Sequence, residues 1–171
     1  MANSGVFTDV YREKYADLAG NLVANPLLMP LVFFSVGEGG YQVVLGSKVP
    51  KTPDPTRTDL EATIDSRLLV GTSPTGAIFV KALAAGSVSV AGSTVSVTCE
   101  LSGAEPDLDL HSHLTGNLLG EPEILELGIY DGDPAGVDPW VDKGDLMVYA
   151  TLDEIVKTGG SSVTITVTIE Q

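Results

Sequence analysis

One cysteine, two histidines and nine basic side chains in 171 residues are the scarcities that bound this chain. Cys99 stands alone, so neither an intramolecular disulfide nor a CxxC redox or zinc motif is possible. Lys and Arg total 9 against 23 Asp and Glu, giving a formal net charge of −14. Phosphate backbones are held by clustered cations, so nucleic acid is excluded as a partner, and anionic membrane surfaces are disfavoured. Long apolar runs are missing too. The longest, Leu27 to Phe34, is interrupted by Pro30 and falls far short of the ~20 residues of a membrane span, so no membrane insertion is expected. Met1 to Phe7 has neither a basic n-region nor an apolar h-region, so we expect no secretory leader and synthesis in the cytoplasm. No P-loop, HExxH pair or serine elbow occurs. Gly37-Glu38-Gly39-Gly40 misses the dinucleotide spacing, because Gln42 stands where the third glycine belongs. The composition predicts a protein with no enzymatic activity and no cofactor.

Hydrophobic residues make up 43% of the chain, enough for a real core. From Thr8 to Asn25, apolar residues Val10, Tyr11, Tyr15, Leu18, Leu22 and Val23 recur at helical intervals. Thr8 and Asp9 are cap candidates, and Pro26 ends the helix. Pro30 to Val36 reads as a buried strand leading into an exposed glycine turn. Residues 46–58, with Pro50, Pro53 and Pro55, read as a long loop, and 58–66 fits neither pattern. Beyond Ala77 the period becomes two. Val95, Val97, Cys99 and Leu101 share one face, as do Val163, Ile165, Val167 and Ile169. Ala77–Leu83, Ile124–Tyr130 and Leu146–Leu152 complete the predicted strands. The fold class is α+β, mainly β: an antiparallel sheet sandwich preceded by an N-terminal helix. Residues 1–26 form a helical arm and 27–171 a β-rich domain.

Certain residues, taken in order, carry a family likeness. They are Phe34-Ser35-Val36-Gly37-Glu38-Gly39-Gly40, Thr58-Asp59-Leu60-Glu61, Glu126-Leu127-Gly128-Ile129-Tyr130-Asp131, Gly144-Asp145-Leu146-Met147-Val148-Tyr149-Ala150, and Lys157 before a final Thr/Val/Ile strand. This arrangement resembles the N-terminal, virion-attachment domain of phage tail-collar fibre proteins. The resemblance implies a structural protein of a phage tail or baseplate that anchors a tail fibre or joins baseplate components, commonly as a homotrimer. Its partners would be other tail, baseplate or fibre proteins, and its location the virion. Members of that family continue into a fibre shaft, so a chain ending at Gln171 suggests a baseplate component or an adaptor that holds a separate fibre. Alternatives are a capsid decoration protein or a carbohydrate-binding β-domain, and, from the enzyme class, a metal-dependent hydrolase.

Two segments supply candidate site residues. His111 and His113 flank Ser112, so on extended backbone both rings point to one side. Two nitrogens are too few for a metal site, but three copies on an axis would supply six; otherwise the pair is a polar turn. Asp131, Asp133, Asp138, Asp142 and Asp145 surround Trp140 in a loop without the EF-hand order. The long connection between two predicted strand partners points instead to a contact surface, with Trp140 as the anchor and Asp138 and Asp142 as rim charges. Cys99, in mid-strand on the apolar face, reads as a core residue.

Overall fold

The computed structural model describes residues 3–20, 31–62, 68–70, 73–75, 79–103, 105, 123–133, 143–157 and 160–170. In chain order these form β1 (Asn3–Phe7), α1 (Asp9–Gly20), β2 (Phe33–Gly37), β3 (Tyr41–Val44), β4 (Ser47–Pro50), β5 (Leu68–Val70) and β6 (Ser73–Thr75). Then follow β7 (Lys81–Ala82), β8 (Val88–Ala91), β9 (Thr94–Leu101), β10 (Glu123–Tyr130), β11 (Leu146–Val156) and β12 (Val163–Glu170). The molecule is mainly β with antiparallel sheets and an N-terminal helix. Eight strands make one sheet in the order β7-β2-β10-β11-β1-β12-β9-β8, while β3–β4 and β5–β6 are separate hairpins.

The two strands read most clearly from alternation pair with each other. In β9 and β12, Val97 faces Val167 and Cys99 faces Ile165; all four are buried, and the intervening threonines point away. In β10 and β11 alternation fails because both faces are covered. Every residue from Ile124 to Tyr130 and from Leu146 to Leu152 is buried. The two strands pair antiparallel, Leu127 with Ala150 and Ile129 with Val148, interrupted by irregularities near Ile124 and Tyr130. One face joins a core that also takes Val95, Val97, Cys99 and Leu101 from β9 and Ile165, Val167 and Ile169 from β12. The opposite face, with Tyr130, Leu146 and Tyr149, packs under Leu60 and beside Phe33.

Three elements depart from the sequence reading. Residues 3–7 form β1, whose five residues are too few to display a period. It lies between β11 and β12, antiparallel to the first through Gly5, Val6 and Phe7 and parallel to the second through Asn3 and Ser4. The segment expected as a long loop from 46 begins instead with β4, paired in register with β3 from Ser47↔Val44 to Pro50↔Tyr41. Proline is tolerated there because it ends an edge strand. Among the described residues of the predicted strand 77–83, Lys81 and Ala82 pair with Phe34 and Phe33, and the Leu83 N–H donates to the Val32 carbonyl; residues 77 and 78 lie outside the described set. The helix starts as expected. Buried Thr8 caps it, its Oγ1 accepting the Tyr11 N–H at 3.3 Å while donating to the Leu146 carbonyl at 2.5 Å. The described helix ends at Gly20, and the expected continuation to Asn25 lies outside the described residues.

Candidate functional site

Within β10, Glu126 interrupts the apolar run from Ile124 to Tyr130 and is fully buried. A buried carboxylate costs several kcal/mol unless its lone pairs are filled, and here they are filled. Its Oε1 accepts the backbone N–H of Ala62 at 2.8 Å and of Gly39 at 3.2 Å. Its Oε2 accepts the Glu61 N–H at 3.0 Å and the Tyr149 hydroxyl at 2.8 Å. One side chain thus ties the β2–β3 turn and the 59–62 segment to the middle of the sheet. The turn expected to be exposed is instead buried at Gly37, Gly39 and Gly40, because the 59–62 segment and this carboxylate close over it. Its glycines follow from that approach. A Cβ on Gly39 would lie 2.6 Å from Glu126 Oε1, and Gly40 holds φ at +74°, a left-handed conformation that glycine adopts without strain.

A second carboxylate continues the network. Glu61 Oε2 accepts the Gly40 N–H at 3.2 Å and pairs with Lys51 Nζ at 2.7 Å. The Lys51 bond holds the Glu61 carboxyl below its ordinary pKa against the opposing effect of burial. Lys51 is itself fixed by its backbone, whose N–H donates to the Gly40 carbonyl and whose carbonyl accepts from Thr151 Oγ1. Glu38 N–H donates to the Ala62 carbonyl at 2.7 Å.

Asp59 is the third. It accepts the Tyr130 hydroxyl at 2.7 Å and the Leu60 N–H at 2.9 Å through Oδ1, and pairs with Lys143 at 2.7 Å through Oδ2. Burial works to raise its pKa, but the bonds from Lys143, Tyr130 and Leu60 prevail and the carboxyl sits below its usual range. Tyr130 and Tyr149 are both pushed above the ordinary tyrosine value, first by burial and then by the adjoining Asp59 and Glu126 charges. Both phenols therefore stay protonated and serve as donors.

Two smaller clusters fix the ends of loops. Lys14 on α1 reaches Asp131 and Asp145, each at 2.7 Å, and Asp131 Oδ1 also accepts the Asp145 N–H at 2.8 Å. Two of the five loop aspartates are thus committed to closing the neck of their own loop against the helix. Lys157 is wholly buried and donates to the Gly103 carbonyl at 3.1 Å. Burial lowers its pKa, partly offset by Glu105.

These groups hold shape. Among the described residues no three His, Cys, Asp or Glu side chains are grouped to hold a metal ion. Cys99 lies fully buried in the core, its thiol pushed by burial up to about 12, so it is an inert core residue at neutral pH. His111, His113, Asp138, Trp140 and Asp142 lie outside the described residues. No described helix is long and apolar enough to cross a membrane. Comparison with protein-family models, curated proteins and solved structures finds no match to this chain.

In the sequence, Glu126, Asp59 and Glu61 stand only within the short motifs of the family likeness, with no site role of their own. A signal for Glu126 was present: one acid inside Ile-Leu-Glu-Leu-Gly-Ile-Tyr, a run too apolar for a strand with a solvated face. For Asp59 and Glu61 no signal existed, since acids in a polar segment of so acidic a chain look alike.

Proposed function

We propose that this chain is a non-enzymatic structural protein of a phage tail or baseplate, where it anchors a tail fibre or joins baseplate components. The observation that carries the reading is spatial. The segments on which the family likeness rests, far apart in sequence, meet at one place. The glutamate of Glu126-Leu127-Gly128-Ile129-Tyr130-Asp131 holds the Gly37–Gly40 turn and the Glu61 backbone, its Tyr130 binds Asp59, and Tyr149 of the Leu146–Ala150 segment completes the set. Residues that form one interior network behave as a unit of fold rather than as unrelated short matches. The carboxylates of that network are consumed by structural bonds, which suits a load-carrying module better than a catalyst.

The finer architecture belongs to the same proposal. One core takes inward side chains from both the β2-β10-β11 and the β12-β9 regions, so we infer that the long sheet folds over as a sandwich with β1 at the crossing. The attachment unit is a homotrimer located in the virion. Trp140, with Asp138 and Asp142 at its rim, contacts a neighbouring virion protein, and His111 and His113 gather a metal only in the trimer. Deleting the gene from its phage tests the function. Particles lacking fibres or with disrupted baseplates, restored by a plasmid copy, are expected; unchanged, fully infectious particles would overturn it.

A further inference from the structure

The β3–β4 hairpin ends in an apolar tip. Val43 is 65% exposed and Leu45 fully exposed, with Val44 and Val49 also open to solvent. Leu45 and Gly46 form the two-residue turn, both at positive φ, 51° and 84°. Such turns favour Asn, Asp or Gly at the first position, and a leucine held left-handed is strained. This side chain therefore costs folding twice, by its backbone and by its contact with water. An outlier of that kind points to a use outside the monomer.

A complementary feature lies at the other end of β2. An open depression of about 330 Å³ is lined by Leu31, Val32, Leu83 and Val88 together with the small residues Ala84 and Ala85. It is at the N-terminal end of β2, whereas the hairpin leaves from the C-terminal end. A five-residue strand, roughly 17 Å, separates them. Beside the depression runs β8, the last strand of the sheet among the described residues. Its residues Val88-Ser89-Val90-Ala91 are all exposed and include no charge, proline or other protection usual on an open edge. Charge agrees with shape. In a chain of net charge −14, neither residues 41–50 nor the lining of the depression contains a single acid.

We propose that the hairpin tip of one copy, Val43, Val44 and Leu45, docks in the Leu31–Val32 and Ala82–Val88 depression of a second copy. A knob and a socket at opposite ends of one strand make a head-to-tail contact, which closes into a ring if the rotation per copy allows. The contact goes beyond the proposed homotrimer, for which it names the two surfaces, and does not depend on where the assembly is located.

Light scattering on the full chain across a concentration series tests it, with two variants at exposed positions. Leu45→Asp spoils the knob while keeping a residue that tolerates the turn, and Ala84→Asp spoils the socket. Wild type is expected to exceed monomer mass, and each variant to associate at least about tenfold more weakly. An equimolar mixture of the two variants retains one intact knob and one intact socket, and is expected to stop at twice the monomer mass. Leu45→Gly is expected to melt at a higher temperature than wild type yet assemble less. A wild type that stays monomeric, a Leu45→Asp protein that assembles normally, or a mixture with no dimer overturns the proposal. Incorporation into particles is measured separately, so failure of this contact is distinguishable from failure of the virion reading, although a monomeric wild type would overturn the homotrimer as well.

Discussion

Replacing Glu126 by Gln keeps the size of the side chain and removes one negative charge and half of its acceptor capacity. In the native protein four donors converge on the carboxylate, three of them backbone N–H groups. A glutamine oxygen in place of Oε1 still serves Gly39 and Ala62. The amide nitrogen then occupies the place of Oε2, where the Tyr149 hydroxyl can turn to accept from it. The Glu61 N–H cannot turn and is left facing another donor. One orphaned buried N–H costs about 1–3 kcal/mol, and each surviving bond drops from a charged to a neutral acceptor. We expect Glu126→Gln to destabilise the fold by about 2–4 kcal/mol. Tyr149→Phe, which removes one donor and leaves Oε2 paired with Glu61, is expected to cost only about 1 kcal/mol. Equilibrium unfolding in urea followed by circular dichroism gives both values, provided the transition is two-state. Amide hydrogen exchange localises the effect: Gly39, Glu61 and Ala62 should lose protection before the β9–β12 ladder does. A Glu126→Gln protein within about 0.5 kcal/mol of wild type, with those three amides still protected, would mean that the carboxylate does not hold the turn and the 59–62 segment.

Acid should act through Asp59 and Glu61. Both carboxyls sit below their ordinary values in the fold, so they contribute stability above the unfolded carboxylate range. That contribution is lost as pH falls through the lowered folded values; melting temperatures should therefore drop from about pH 4 downward, and less so in Asp59→Asn, whose contribution is already gone. Deleting residues 1–25 removes β1 from between β11 and β12 and the Thr8 bond to Leu146; we expect no cooperative melt, and a folded, monomeric remainder would instead make the segment a separable arm. Trp140→Ala is expected to weaken attachment to a neighbouring virion protein by roughly 2 kcal/mol without changing the circular dichroism spectrum, and normal incorporation would remove the loop from the contact surface.

What was legible in the sequence depended on whether one face of an element met water. β9 and β12 could be read residue by residue, because threonines and serines mark their outer faces while Val97, Cys99, Ile165 and Val167 fill the core. β10 and β11 read as apolar runs that pair in the family likeness, but their burial on both sides leaves no mark in the pattern. That burial depends on Leu60 and the 59–62 segment, whose position is fixed by long-range bonds to Glu126 and Tyr130 rather than by any local pattern. β1 escaped notice because its role is topological: a short strand becomes recognisable only once β11 and β12 flank it. The hairpin escaped for a different reason. Three prolines across 50–55 outweighed the alternation of Lys48 and Val49, and Leu-Gly is an uncommon turn for two paired strands.

Quantitative mass spectrometry of particles purified from lysates of the source that encodes this chain tests the proposed tail or baseplate role. Its peptides are expected in the tail fraction, at a copy number that is a multiple of three. Particles that are fully assembled and infectious yet free of the chain, with the protein confined to the host lysate, would contradict it.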